Sequence, residues 1–248
     1  MIWREGPVGL NLTPPHDISD QKVGTYLPED PVILDLMKRS YEVLKDHPVN
    51  QDRRARGLNP ANSIWLWGEG TRPGVFRFED MYGVKASVIS AVDLIKGIGI
   101  CAGMKVIEVE GATGNIDTNF KGKGEAALQT LLDGQDLVYI HVEAPDECGH
   151  HGDVDGKVRS IELIDEQIVG PLLKGLEDAG EEYSILVMPD HPTPIAIKTH
   201  ISDPIPYLLY RSTETVESGI SSYTEKNGAS TGRFVAQGQE LMKKLLGR

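Results

Sequence analysis

The residue types that could bind a metal ion are concentrated in one stretch of the chain, 139–210. Five of the seven histidines lie there, and aspartates accompany them at the ends of short apolar segments. The candidate ligands are Asp146, His150, Asp190, His191 and His200. Such side chains meet at the carboxyl edge of a parallel sheet when they follow its strands. The stretch therefore predicts a metal site.

The spacing of these residues indicates how they could reach an ion. Asp146 and His150 are four positions apart, so in a helical turn they share a face. Asp190 and His191 are adjacent, so their side chains diverge and suit a second ion, or one ion each in a pair of close sites. His200 adds another nitrogen. Mixed oxygen and nitrogen ligands favour Mn, Zn or Co, and the choice among the three stays open.

Each of these residues also has a purely structural interpretation. A single histidine is more often a hydrogen-bonding residue of the fold than a ligand, and His141 is expected to be of that kind. For the five candidates together, this interpretation requires metal-type residues to gather at successive strand ends by chance. Cys148 lies in the same stretch, but oxygen and nitrogen ligands already suffice there. With no CxxC motif, Cys101 and Cys148 are expected to be reduced thiols.

The elements that must position these residues follow from the hydrophobic pattern. From Val84 onward, short apolar segments alternate with amphipathic segments. The predicted strands are 84–92, 104–109, 137–141 and 183–188. The predicted helices are 93–102, 123–132, 155–176 and 233–246. This order predicts an α/β fold with a mostly parallel sheet flanked by helices.

The first third of the chain has a different pattern. A helix is predicted at 32–45 and a short buried strand at 64–67. The arginines between them, at positions 53, 54 and 56, form either a solvated surface or a phosphate clamp, because guanidinium groups match phosphate oxygens in pairs. His16 and Asp17 follow two prolines and are most simply a turn fixed by an Asx hydrogen bond.

Composition narrows the possible partners and location. The formal net charge of -12 offers no basic face for nucleic acid. A phosphorylated substrate would need local help from a metal or a few arginines against this charge. No apolar run reaches the roughly 18 to 20 residues of a membrane span, and no secretory leader opens the chain. We expect no membrane association and a cytoplasmic location.

The candidate ligands also carry a resemblance to a known family. Asp146-x-x-x-His150, Pro189-Asp190-His191 and Thr199-His200 resemble the metal-binding signature of the alkaline phosphatase superfamily. The wider match is similar to the archaeal-type cofactor-independent, or 2,3-bisphosphoglycerate-independent, phosphoglycerate mutases. It includes the segments 14–17, 90–97 and 141–146. It covers nearly the whole chain but only the C-terminal portion of that family.

The resemblance implies an architecture and a reaction. Residues 1–80 would be part of a smaller inserted α/β domain that clamps the substrate, and residues 81–248 would be the C-terminal part of a metal-binding, phosphatase-like core. The reaction would interconvert 2-phosphoglycerate and 3-phosphoglycerate through a phosphorylated serine or threonine and two divalent metal ions.

The resemblance also assigns roles to individual residues. The first ion would be held by Asp146, His150 and His200, while Asp190 and His191 would help to hold the second. Substrate would be bound by Arg53, Arg56 and Lys96, with Arg4 a weaker candidate.

The chain departs from the family pattern at its start. Family members begin with a strand that ends in a metal-binding aspartate and is followed by the nucleophile, and neither precedes Trp3 here. We therefore expect an N-terminally truncated chain without a catalytic nucleophile, inactive as a mutase on its own. Two alternatives remain: another metal-dependent phosphoryl-transfer enzyme of the superfamily, or a non-catalytic metal-binding module. As half of a split enzyme, such a module would associate with itself or with a complementing N-terminal segment.

Overall fold

The computed structural model divides the chain into two compact units, Met1–Gly74 and Val75–Arg248. It describes every residue except Asp20, Thr215 and Glu217. Among the residues described, no helix is long and apolar enough to cross a membrane.

The smaller unit is built on two α-helices, α1 (Pro31–Leu44) and α2 (Pro48–Ala55). Helix α1 begins at Asp30, whose carboxylate accepts hydrogen bonds from the first free backbone N–H groups, at 3.0 Å each. It buries Ile33 and Met37. The helix predicted at 32–45 is confirmed.

The strand predicted at 64–67 is wrong. The described residues of this segment form no regular secondary structure, and Ile64 is 39% exposed. The Ile64 N–H donates to Ser40 Oγ at 2.9 Å, and Trp65 Nε1 donates to the Thr13 carbonyl at 2.8 Å. The segment is therefore attached through side-chain hydrogen bonds, and no neighbouring strand among the described residues pairs with it.

The larger unit carries the β-structure. Its elements begin with α3 (Phe78–Tyr82), β1 (Ala86–Ile89), α4 (Asp93–Cys101), β2 (Lys105–Val106), α5 (Phe120–Leu132), β3 (Leu137–Ile140) and α6 (Ala144–His151). They continue with α7 (Val154–Ile164), a π-helical turn (Asp165–Val169), α8 (Gly170–Ala179), β4 (Ser184–Val187), β5 (Leu208–Arg211), α9 (Glu225–Ser230) and α10 (Glu240–Leu245).

A parallel sheet lies at the centre of this unit, in the order β2-β1-β3. Val88 on β1 is opposite Val106 on one side and Tyr139 on the other. All four residues of β1 are buried, as expected of a central strand. The prediction of a parallel sheet flanked by helices is confirmed.

Two details of the prediction are corrected. The strand predicted at 183–188 forms, but β4 pairs with β5 in a separate antiparallel sheet, in which Leu186 is opposite Leu209. The predicted final helix begins at Glu240 rather than at Arg233. Phe234, near the start of the predicted helix, is 73% exposed.

Helix α5 packs on β1, β3 and α8, and the main apolar core has Ile89, Ala127, Leu172 and Leu176 at its centre. The helix predicted at 155–176 is built from α7, the π-helical turn and α8. This turn approaches α5 closely at Gly124, where a Cβ atom would lie 2.7 Å from the Gln167 carbonyl oxygen. The glycine therefore allows the backbones to meet.

Candidate metal centre

Helix α6 brings the first two candidate ligands together. It begins just after β3, carries a proline in its first turn and ends at Gly152 in the left-handed conformation. As the spacing predicts, Asp146 and His150 share one face of this helix, with Asp146 Oδ2 and His150 Nε2 3.3 Å apart.

His200 joins these two residues from the loop between β4 and β5. Its Nε2 atom lies 3.3 Å from Asp146 Oδ1 and 3.0 Å from His150 Nε2. The three residues offer ligand atoms that all lie within 4.8 Å of one another. One carboxylate and two imidazoles at this spacing fit a divalent ion of the Zn, Mn or Co type.

The outer nitrogen of His150 also has a partner. His150 Nδ1 lies 2.9 Å from the carbonyl oxygen of Lys198. If Nδ1 carries the proton and donates to this carbonyl, the Nε2 lone pair is directed at Asp146 and His200, an arrangement common among metal-ligating histidines. Lys198 has a positive φ of 56°, a conformation unusual for a residue with a side chain.

Asp190 and His191 lie beside this cluster without joining the three-residue group. His191 Nδ1 is 4.0 Å from Asp146 Oδ1, and the His191 ring centroid is 3.8 Å from that of His200. The Asp190 side chain is 68% exposed, with Oδ2 3.4 Å from His191 Nε2. The structure thus brings His191 against the cluster and leaves Asp190 at its outer edge.

Sequence reasoning missed two residues that contact the cluster from behind. Thr193 is 3% exposed, and its hydroxyl donates a short hydrogen bond to Asp146 Oδ1. Lys157, on α7, donates from Nζ to the Thr193 carbonyl at 2.7 Å. Burial lowers the pKa of Lys157, while the Asp146 carboxylate opposes this shift. A single threonine and a single lysine carry no spacing signal, and only the position of Thr193, just after the Asp190-His191 pair, could have suggested a role.

A second cluster of polar side chains lies where β1 and β3 end. Lys123 is 1% exposed and donates from Nζ to the His141 carbonyl at 3.3 Å. His141 Nδ1 is 3.2 Å from Ser90 Oγ, as expected of a hydrogen-bonding histidine. Burial lowers the pKa of both Lys123 and His141. Burial raises the pKa of Glu143, as do neighbouring carboxylates.

The predicted substrate-binding residues have local partners. Lys96 Nζ on α4 pairs with Glu108 at 2.7 Å. In the smaller unit, Arg53 Nε at the end of α2 donates to the Asn59 carbonyl at 2.7 Å. Arg56 Nη1 lies 3.3 Å from a carboxylate oxygen of Asp52, four positions earlier. Their role toward a substrate stays a prediction.

Comparison with known proteins places this site in a family. The family model described as the metalloenzyme superfamily matches residues 30–246, and the chain belongs to this superfamily. Membership implies divalent metal binding, in agreement with the Asp146 cluster. A second model, described as 2,3-bisphosphoglycerate-independent phosphoglycerate mutase, matches residues 1–50.

Curated relatives carry the same description. The 2,3-bisphosphoglycerate-independent phosphoglycerate mutase of Methanothrix thermoacetophila is 48% identical over 94% of this chain and 60% of its own length. A probable enzyme of that name from Geobacter sulfurreducens is 46% identical over 100% of this chain and 62% of its own length. The resemblance drawn from the sequence motifs is confirmed. The chain spans about 60% of the length of these relatives.

Solved structures agree on the fold. The PH0037 protein from Pyrococcus horikoshii matches with a TM-score of 0.63 and 31% identity, over 78% of this chain and 50% of that one. The cofactor-independent phosphoglycerate mutase from Thermoplasma acidophilum matches with a TM-score of 0.54 over 89% of this chain and 53% of that one. Its identity of 23% supports the shared fold alone.

Proposed function

We propose that this chain is the metal-binding portion of a 2,3-bisphosphoglycerate-independent phosphoglycerate mutase, which interconverts 2-phosphoglycerate and 3-phosphoglycerate. The observation that carries the proposal is the cluster of Asp146, His150 and His200, in a chain whose relatives bear that enzyme name. The substrate is then a small phosphorylated acid.

The proposal includes two divalent ions, drawn from Mn, Zn and Co. Asp146, His150 and His200 hold one ion, and Asp190 and His191 help to hold the other. When bound, such ions supply positive charge that stabilises the oxygens of a transferring phosphoryl group. The residues of the chain itself fix where that charge lies, which matters for an anionic substrate approaching a protein of net charge -12.

Residues 1–80 are proposed to be part of a substrate-clamp domain and residues 81–248 part of the metal-binding domain. Arg53 and Arg56 are proposed to bind the substrate phosphate, with Lys96 as a further phosphate contact. In the metal-free chain Lys96 is paired with Glu108, and Arg53 is bonded to Asn59, so a bound phosphate would replace these contacts or add to them.

Calorimetric titration of the purified chain with Mn²⁺ and Zn²⁺ tests the metal assignment. Tight binding by the wild-type chain and its loss in His200→Ala are expected. Asp190→Ala is expected to remove only the second binding event, because its exposed carboxylate lies outside the three-residue cluster. Equal binding by wild type and His200→Ala would contradict the assignment.

Binding of 3-phosphoglycerate to the metal-loaded chain tests the substrate. Replacing Arg53 and Arg56 together with alanine is expected to weaken binding at least tenfold, since two bidentate phosphate contacts are lost. Arg54→Ala is the matched control, because Arg54 lies on the same helix as Arg53 and donates to the Lys45 carbonyl at the end of α1. Unchanged affinity in the double variant would favour another phosphoryl-transfer enzyme of the superfamily.

The remaining expectations stay predictions with their own tests. The 248-residue chain alone is expected to show no mutase turnover, and substantial turnover would refute this. Self-association or capture of a complementing N-terminal segment is the expectation of the module alternative, which light scattering of the purified chain tests. The cytoplasmic location also stays a prediction.

A further inference from the structure

We infer that Thr193 is a positioning residue of the metal centre and that Lys157 holds it in place. The inference rests on the proposed metal site and adds to it two residues that are not ligands. It predicts that the affinity of the site for an ion depends on a hydroxyl group that never touches the ion.

The two carboxylate oxygens of Asp146 have different neighbours. Oδ2 faces His150 at 3.3 Å, whereas Oδ1 accepts the hydrogen bond from the Thr193 hydroxyl and lies 3.3 Å from His200 Nε2. The Asp146 side chain is 25% exposed, so most of its surface is shielded from water. Removal of the hydroxyl would take away the hydrogen bond that orients Oδ1 from the side opposite the ion, and the carboxylate could then rotate away from the two imidazoles.

Thr193 is itself fixed on several sides. Its carbonyl accepts the Lys157 Nζ hydrogen bond at 2.7 Å. A Cβ atom on Gly149 of α6 would lie 2.7 Å from that carbonyl oxygen and 2.9 Å from Thr193 Cγ2, so the threonine packs directly on the helix backbone. With 3% of its surface exposed, Thr193 has little room to move, and its hydroxyl is held toward Asp146.

The same hydroxyl also reaches the second pair of candidate ligands. Thr193 Oγ1 lies 3.3 Å from His191 Nδ1. Since Thr193 closely follows Asp190 and His191 in sequence, its attachment to α6 and α7 fixes the segment that carries both. One buried threonine therefore sets the spacing between the Asp146 cluster and the Asp190-His191 pair.

Matched substitutions at Thr193 distinguish the effect of its hydroxyl on ion binding from the effect of its methyl group. Thr193→Val keeps the shape and removes the hydroxyl, whereas Thr193→Ser keeps the hydroxyl and removes the methyl that packs on Gly149. The full chain is stripped of metal with a chelator, its melting temperature is recorded, and Mn²⁺ and Zn²⁺ are titrated by calorimetry. Thr193→Val is expected to bind about 10- to 100-fold more weakly, the usual cost of losing an outer partner of a ligand. Thr193→Ser is expected to retain wild-type affinity.

Lys157→Met provides a second variant that leaves the hydroxyl intact. It is expected to weaken ion binding because the Thr193 carbonyl loses its tether, while Lys157→Arg restores binding. These two variants decide the question if Thr193→Val does not fold.

The outcomes distinguish this inference from the proposal on which it rests. If His200→Ala loses the ion but Thr193→Val and Lys157→Met bind like wild type, the inference is overturned and the metal centre stands. Equal losses in Thr193→Val and Thr193→Ser would also overturn it, since packing rather than the hydroxyl would then matter. If wild type binds no ion, or if His200→Ala binds as well as wild type, the proposed metal centre fails and the inference fails with it.

Discussion

Replacing Gly149 with alanine should push the segment that carries Asp190 and His191 away from Asp146 on α6. Gly149 lies on α6 between Asp146 and the turn that ends the helix. The position that a Cβ atom would occupy on Gly149 faces Thr193. An added Cβ atom would lie 2.7 Å from the Thr193 carbonyl oxygen and 3.1 Å from Lys157 Nζ. The lysine end can move, but a backbone carbonyl cannot yield without displacing the segment that carries Asp190 and His191.

The expected change in the free energy of unfolding of Gly149→Ala follows from two opposing effects. Overpacking of this kind destabilises a protein by about 1–3 kcal/mol. Alanine in a helix interior is more stable than glycine by about 0.5–1 kcal/mol. The contact with a backbone atom puts the cost toward the upper end, so we expect a net loss of about 1–2 kcal/mol in the free energy of unfolding. Ion affinity should fall as well, because Thr193 is pushed away from Asp146.

Two other helical glycines provide the controls, with urea unfolding of chelator-treated protein and calorimetric ion titration as the assays. Gly124→Ala on α5 introduces the same kind of contact, 2.7 Å from the Gln167 carbonyl oxygen, in the core away from the cluster. It should lose similar stability and keep its ion affinity. Gly97→Ala on α4 meets nothing within 4 Å and should gain stability by about 0.5–1 kcal/mol. Unchanged ion affinity in Gly149→Ala, or an equal affinity loss in Gly124→Ala, would refute the reasoning.

Three further predictions concern the stability of the chain. Leu172→Ala should lower the free energy of unfolding in urea by about 2–5 kcal/mol, because Leu172 lies in the main core, and a loss below about 1 kcal/mol would contradict that placement. Asp30→Ala removes the N-cap of α1 and should cost the smaller unit about 0.5–2 kcal/mol, measured by thermal unfolding, whereas Asp30→Asn should cost little. Burial raises the pKa of Glu143 above its ordinary 4.5 in the folded chain, so the folded state binds the proton more tightly than the unfolded state does. Metal-free wild type should therefore lose stability relative to Glu143→Gln as the pH rises from 4.5 through the folded-state pKa. A difference in urea midpoint between the two proteins that is constant over this range would contradict the shift.

The sequence was informative where one residue type or one period decides a feature. Asp146 and His150 share a face because a spacing of four in a helix permits nothing else, and β1 lies within the mostly apolar segment 84–92. The pattern could not show which strands pair. Strand β4 carries the same apolar signal as β3, yet it pairs with β5 in a separate antiparallel sheet. Pairing depends on contacts between distant segments, which local periodicity does not encode.

The candidate site could likewise be predicted only in part from the sequence. Ligand types such as histidine and aspartate stand out in a sequence, whereas the residues that orient them do not. Thr193 acts through one hydroxyl and Lys157 through a hydrogen bond to a carbonyl 36 positions away. Only the folded chain brings them together. The strand predicted at 64–67 is wrong for a similar reason. The Ile64 backbone N–H donates to the side chain of Ser40, and a pattern of apolar residues does not predict such a hydrogen bond.

The central claim is that Asp146, His150 and His200 hold one divalent ion. Anomalous diffraction from crystals of the chain grown with Mn²⁺ or Zn²⁺, measured on both sides of the metal absorption edge, tests it most directly. The account predicts an anomalous peak bonded to a carboxylate oxygen of Asp146 and to the Nε2 atoms of His150 and His200, at about 2.0–2.2 Å for zinc. A peak bound elsewhere, or no peak near these three residues in crystals that contain the ion, would contradict it.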